Sequence, residues 1–225
     1  MSEPGSRRGR THDAEGARTA ILNAAEEVFA EHGFDGARID VIAATAGYNK
    51  SLIFQYFGDK LNLYAEVIRR ADEYARALQT LAVAALPIDE AELTPEKFES
   101  LLKAFLAELF DFFKNYPRIR RIFLWEMAEG WQTYAKIVAK LGTDDIEQFS
   151  PLLYKLQRVG LLRADMNPLV QIMLAEFLYM QFLASLPLMQ IFLPGEDLTS
   201  EKALDQARAW LGEFVTRGLM AKGVR

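Results

Sequence analysis

The chain has 225 residues, of which 51% are apolar, a formal net charge of −5 and no cysteine. That composition is globular, and the length allows one or two domains around a buried core. The absence of cysteine removes disulfides, thiolate metal sites and a thiol nucleophile from consideration. Two histidines, His12 and His32, fit neither a metal-ligand spacing nor a triad. No glycine-rich phosphate loop is present. No enzyme, metal or cofactor is expected.

Residues Met1 to His12 are polar, glycine-rich and basic, and are expected to form a disordered arm. Its RRGR run suits either a minor-groove contact or a solvated tail. The arm has no apolar stretch of the kind a secretory signal needs, so a cytoplasmic protein is expected. Asp13 is placed to cap a first helix carrying Ile21, Leu22, Ala25, Val28 and Phe29 on one stripe and stopping at Gly33.

The stretch from Ala37 to Lys60 predicts two short helices joined by a glycine turn. Ile39, Ile42, Ala43 and Ala46 recur at helical spacing, and Gly47 supplies the freedom a turn with positive φ needs. The second helix runs from Asn49 to Phe57, with Ile53 and Phe57 facing the first. A small residue, a turn glycine and an inward aliphatic, Ala43-x3-Gly47-x5-Ile53, are what a helix-turn-helix requires. In that motif the second helix enters the major groove.

Three groups of residues carry a resemblance. They are Ile21, Leu22, Ala24, Ala25, Val28, Phe29, Gly33 and Phe34; then Ile42, Ala43 and Gly47; then Phe54, Tyr56, Phe57 and Lys60. Together they resemble the N-terminal domain of the TetR family of transcriptional regulators, from about Thr19 to Val67. The resemblance implies base-edge or phosphate contacts from Lys50, Ser51, Leu52 and Gln55, and phosphate anchors at Tyr56 and Lys60. Lysine can donate to guanine and glutamine can pair with adenine. Arg38 replaces a residue that is usually a small hydroxyl in the family; it can hold phosphate but does not cap in the usual way. Phe54 stands where tyrosine is frequent and has no hydroxyl to offer.

The charge balance runs against a nucleic-acid partner. The first sixty residues carry seven bases and nine acids, whereas such domains are often basic. Arg10, Arg38, Lys50 and Lys60 lie at element ends that a docked head turns toward phosphate. Local geometry therefore outranks the sum, and non-specific affinity is expected to be weak.

Asp59 is expected to cap a long helix from Lys60 to about Ala85. An acidic linker around Pro87, Asp89, Glu90 and Glu92 follows, and Thr94-Pro95 opens another helix. Phe98 to Leu141 is helical and rich in aromatics, broken by Pro117 and Gly130. A helix from Asp144 to Val159 is interrupted at Pro151; the Asp144-Asp145 pair suits its N-terminal dipole. Asn167-Pro168 opens a long apolar helix that Pro187 ends or bends. Ser200 opens the last, with Ala203, Ala207, Trp210, Leu211, Phe214, Val215 and Leu219 on its buried side.

The fold class expected is all-α, with an N-terminal three-helix head joined by a long helix to a C-terminal ligand-binding and dimerisation domain. The boundaries are 1–12 for the arm, 13–60 for the head and 61–225 for the rest. Ile172 to Met189 approaches the length of a membrane span, but Glu176, Gln181 and Pro187 favour a buried helix and no membrane. Such a helix needs many partners, and with the last helix it forms half of a four-helix bundle with a second copy. That matches the homodimer through the two C-terminal helices that the resemblance implies.

The partners expected are double-stranded DNA, a second copy of the chain and a small hydrophobic or cationic inducer. Phe105, Leu109, Phe123, Glu126, Trp131, Glu176 and Tyr179 are the candidates for the inducer site. Aromatics at this spacing also serve as ordinary core. Glu126 and Glu129, between Trp125 and Trp131, suit a cation or a nearby arginine. The competing reading is a DNA-binding regulator whose C-terminal domain takes a protein partner.

Overall fold

The computed structural model describes residues 7–85, 93–141 and 144–221. They form ten helices: α1 (Arg7–Gly36), α2 (Ile39–Ala46), α3 (Lys50–Phe57), α4 (Lys60–Ala85), α5 (Pro95–Asn115), α6 (Pro117–Ala128), α7 (Gln132–Leu141), α8 (Asp144–Arg158), α9 (Pro168–Phe192) and α10 (Glu201–Leu219). Among the described residues there is no strand beyond one isolated bridge between Leu162 and Met220. The all-α expectation holds. The acidic linker of Pro87, Asp89, Glu90 and Glu92 lies outside the described residues, as do Met1 to Ser6.

The helix ends follow local chemistry. Asn49 Oδ1 accepts the Leu52 amide at 2.9 Å, and Asp59 Oδ1 accepts the Asn62 amide at 2.7 Å. Thr94 and Ser200 cap α5 and α10 in the same way, each satisfying an amide that the first turn leaves open. Two readings shift. α1 is described from Arg7, upstream of the start expected at Asp13. Pro187 lies inside α9, which continues to Phe192; one missing amide does not stop a helix so apolar on its remaining faces.

The chain divides into two compact units. The first holds residues 7–73 with 118–141, the second 74–117 with the described residues from 144 on. This division does not follow the boundary drawn at residue 60. Leu63, Tyr64, Val67 and Ile68 of α4 are buried with Phe29, Ile42 and Ile53 in the first unit, so the first half of α4 is part of the head's core.

α6 and α7 also belong to the first unit. Arg118 pairs with Glu27 at 2.6 Å, Lys140 donates to Asn62, and the Trp125 indole N–H reaches the Ala30 carbonyl at 3.3 Å. Gly33, at φ 66°, meets this face so closely that a Cβ would lie 3.1 Å from the Trp125 ring. Both the dihedral and the close approach require glycine there. α1 and α4 are joined by an Arg18–Glu66 ion pair and by Arg70 donating to Asn23 at 2.8 Å.

In the second unit α5 packs against α9 and α10, and α9 against α8 and α10. Trp210 and Phe214 of α10 were expected inside but are 65% and 57% exposed, their rings stacked 5.5 Å apart. Leu211 and Val215, one position on, are buried. The apolar stripe of α10 is wider than one chain covers.

Candidate functional site

α2 and α3 meet at a tight corner. Gly47 adopts φ 73°, and the amides of Gly47 and Tyr48 close the end of α2 on the carbonyls of Ala44 and Ala43. Ala43 is buried beside the corner, and Ile53 and Phe57 point inward. The opposite face of α3 is open: Lys50, Ser51, Phe54 and Gln55 are exposed, while Leu52 and Tyr56 are half-buried. An outward strip at positions i, i+1, i+4 and i+5 is what one helix offers a groove.

The cations around this strip differ in freedom. Arg38 stands at the start of α2 with a side chain 75% exposed and makes no capping bond. Lys50 forms an ion pair with Asp40 of α2, and Arg38 lies 3.7 Å from the same carboxylate. The Lys50 hydrogen bond holds the Asp40 carboxyl below its ordinary value. Lys60 turns back toward the end of α1: its ammonium lies 4.6 Å from the Phe34 ring centre and 3.4 Å from the Asp35 carbonyl. Burial draws its pKa down.

Phe54 and Tyr48, 47% and 37% exposed, were not among the expected contacts. In the sequence Phe54 stands out only as a lost hydroxyl. The helical wheel places it one turn beyond Lys50 on the outward strip.

The seven inducer candidates fall in both units. Phe123, Glu126 and Trp131 are in the first. Glu126 is buried, with its carboxylate accepting the Tyr64 hydroxyl at 2.8 Å and the Tyr134 amide at 2.9 Å. It thereby caps the start of α7, where a negative charge is favoured. Burial and this bond raise the Tyr64 pKa. Trp131 takes φ 62° at the break before α7, its amide donating to the Glu126 carbonyl at 2.7 Å. Glu129 is half-buried, and burial with the nearby Asp35 and Glu126 charges raises its pKa.

Phe105, Leu109, Glu176 and Tyr179 are in the second unit. Phe105 lines a cavity of about 240 Å³ together with Leu81 and Ala85 of α4, Phe98 and Leu102 of α5, Phe149, Leu152 and Leu156 of α8, and Ile172 of α9. Among the described residues, Glu108 is the one charged residue of its lining. Leu109 and Tyr179 are buried, and the Tyr179 hydroxyl finds no partner among the described residues. Burial pushes the Glu176 carboxyl up to about 7. Phe149, Leu152 and Leu156 keep helical spacing, yet sequence alone does not separate a cavity wall from a filled core. A broader groove of about 670 Å³ runs along α9 and α10 past Leu174, Leu178, Trp210 and Phe214.

Residues 21–67 match the model of the bacterial regulatory proteins of the tetR family. The HTH-type transcriptional repressor NicS of Pseudomonas putida is 30% identical over 158 residues, 69% of this chain and 70% of that protein. The HTH-type transcriptional repressor SCO4008 of Streptomyces coelicolor is 35% identical over 117 residues, and the match spans 52% of this chain and 53% of that repressor. A TetR family transcription regulator of Marinobacter aquaeolei superposes with a TM-score of 0.63 at 16% identity, over 95% of this chain and all of that one.

Proposed function

Because the chain belongs to the TetR family of bacterial regulatory proteins, we propose that it reads an inverted-repeat operator as a homodimer and leaves it on binding a small molecule. It is a DNA-binding transcriptional regulator and not an enzyme. The observation that carries the operator reading is the outer face of α3, where Lys50, Ser51, Phe54 and Gln55 are exposed on a helix whose inner face is anchored by Ile53 and Phe57. Lysine can donate to guanine, glutamine can pair with adenine and a phenyl ring can pack on a thymine methyl. Repression is the direction we assign, since SCO4008 and NicS are both named repressors.

The second copy is argued from α9 and α10. α9 exposes Met173, Leu174, Leu188 and Ile191, and α10 exposes Trp210 and Phe214. An apolar surface of that extent marks an interaction site. A second copy presenting the same two helices completes a four-helix bundle.

The cavity bounded by α4, α5, α8 and α9 supports a small-molecule inducer over a protein partner. A lining that, among the described residues, is apolar but for Glu108 suits a compact apolar molecule, neutral or cationic, and disfavours a carboxylate or phosphate. Leu81 and Ala85 of the same wall belong to α4, whose first turns carry Leu63 and Tyr64 into the head. A ligand that displaces the cavity end of α4 changes the separation of the two reading helices. They must lie about one DNA turn apart, or a multiple, to dock together. By linkage, operator DNA then weakens ligand binding by the same factor.

The test is selection of random duplex DNA by the purified protein. An inverted repeat should emerge, and Lys50→Ala or Gln55→Ala should each relax one base position and weaken binding by about 1–3 kcal/mol. Recovery of no motif, with binding that fades uniformly with salt, would sink the operator reading.

A further inference from the structure

We propose that Asp40 is a specificity-determining residue of the head, holding Lys50 and Arg38 away from phosphate until a matching groove offers Lys50 a base edge. The inference rests on the operator reading above. Asp40 lies in the first turn of α2, on the side of the corner from which Lys50 opens α3. Its carboxylate is paired with the Lys50 ammonium and lies 3.7 Å from the Arg38 guanidinium. Two of the cations nearest the reading strip therefore share one anion, and all three groups face water, at 52%, 75% and 48% side-chain exposure for Lys50, Arg38 and Asp40.

Non-specific binding of DNA is driven by cations that replace the counterions condensed on phosphate. A lysine already paired with a carboxylate contributes little to that term. Moving from Asp40 to a phosphate exchanges one anion for another and leaves Asp40 facing the backbone unpaired. A guanine edge takes Lys50 from Asp40 as well, but it offers the ammonium two acceptors at fixed positions in addition to the general field of the backbone. The lost pair is offset there and not at a mismatched site. Asp40 thus weakens binding to every sequence and weakens it least at the matching one. It also sets the direction from which Lys50 enters the groove, because the pair fixes a long side chain that is otherwise free to rotate. With nine acids against seven bases in the first sixty residues, the head has little general attraction for DNA, and selectivity rests on what each base is allowed to touch.

The experiment measures binding of the full chain to its selected duplex and to a random duplex across salt concentrations, for wild type, Asp40→Asn, Lys50→Gln and the double variant. Asparagine keeps a hydrogen-bond acceptor for Lys50 and removes only the charge. Asp40→Asn should tighten random-duplex binding by about three- to tenfold near 0.1 M salt and steepen the log–log salt slope by about 0.9 per cation released in each head. Binding to the selected duplex should change less, so the ratio falls. In the Lys50→Gln background the effect should shrink, because the main partner of Asp40 is gone. Thermal melts of each variant check that the head remains folded.

An unchanged ratio and salt slope in Asp40→Asn would overturn the proposal while leaving the operator reading intact. So would an effect of equal size with and without Lys50, which would make Asp40 a simple repulsive charge. If the wild-type protein selects no sequence at all, the operator reading fails and this inference with it.

Discussion

Glu126 in the first unit is buried and Glu176 in the second is half-buried, and the fold treats the two carboxyls differently. Glu126 accepts a hydroxyl and a backbone amide, one from α4 and one from the start of α7. Its charge is used to fasten α6 and α7 to the head. Glu176 has burial as the cause of its raised pKa and no cation set against it among the described residues. Glu126 has its bonding needs met by its neighbours and serves as a structural fixture, whereas Glu176 is left with desolvation alone, which favours its protonated form. The sequence makes Glu126 a candidate for an inducer's cation; in the structure its carboxylate accepts two hydrogen bonds from the protein itself.

The sharpest way to break this contrast is Glu126→Ala. It strands the Tyr64 hydroxyl and the Tyr134 amide in a buried place and leaves a void, for a combined cost of about 4 kcal/mol. Tyr64→Phe should cost about 2 kcal/mol, since one carboxylate oxygen loses its donor. Combined with Glu126→Gln, Tyr64→Phe should cost less than the two single changes added together. Urea unfolding measures all of these, and additive losses would mean that the two residues do not act as a pair.

Glu176→Gln should have the opposite sign. The ordinary value of the group is 4.5 and burial raises it to about 7. Between those values the folded chain keeps a proton that the unfolded chain has lost, so stability falls as pH rises through the window. Below it both states are protonated and the penalty disappears. The variant should match wild type near pH ~4 and exceed it by up to about 3 kcal/mol near pH ~8. Parallel stability curves for the two proteins would show that Glu176 does not titrate in this range.

The two units also differ in how much of them could be read in advance. The cap at Asp59, the turn at Gly47 and the inward Ile53 depend on neighbours within a few residues, and each is legible; Asn49 reads as the first residue of the second helix, whereas its side chain caps that helix from outside. Glu126 was not, because its partner Tyr64 is 62 residues away and nothing in either sequence neighbourhood points to the other. Residue 60 looked like a boundary because a helix starts there, but burial of Leu63, Tyr64 and Val67 carries the head's core further along α4. In the second unit leucine and phenylalanine serve equally as cavity wall, filled core or uncovered face. Helical periodicity puts Trp210 beside Leu211 and cannot say that one is exposed and the other buried.

Phe54 tests the smallest of these distinctions. It shares α3 with Phe57, three residues on, but Phe57 is 6% exposed and Phe54 is 47% exposed. If Phe54 belongs to the reading strip, Phe54→Ala should leave stability within about 0.5 kcal/mol, as surface changes do. Operator affinity should fall by about 1 kcal/mol, because the ring's apolar contact with a thymine methyl is lost without any phosphate contact changing. The salt slope should stay the same, while a thymine preference at one position of each half-site disappears and the positions read by Lys50 and Gln55 keep theirs. A large drop in melting temperature would instead assign Phe54 to the core, and an affinity loss spread evenly over all sequences would mean that the ring supports the helix without reading a base.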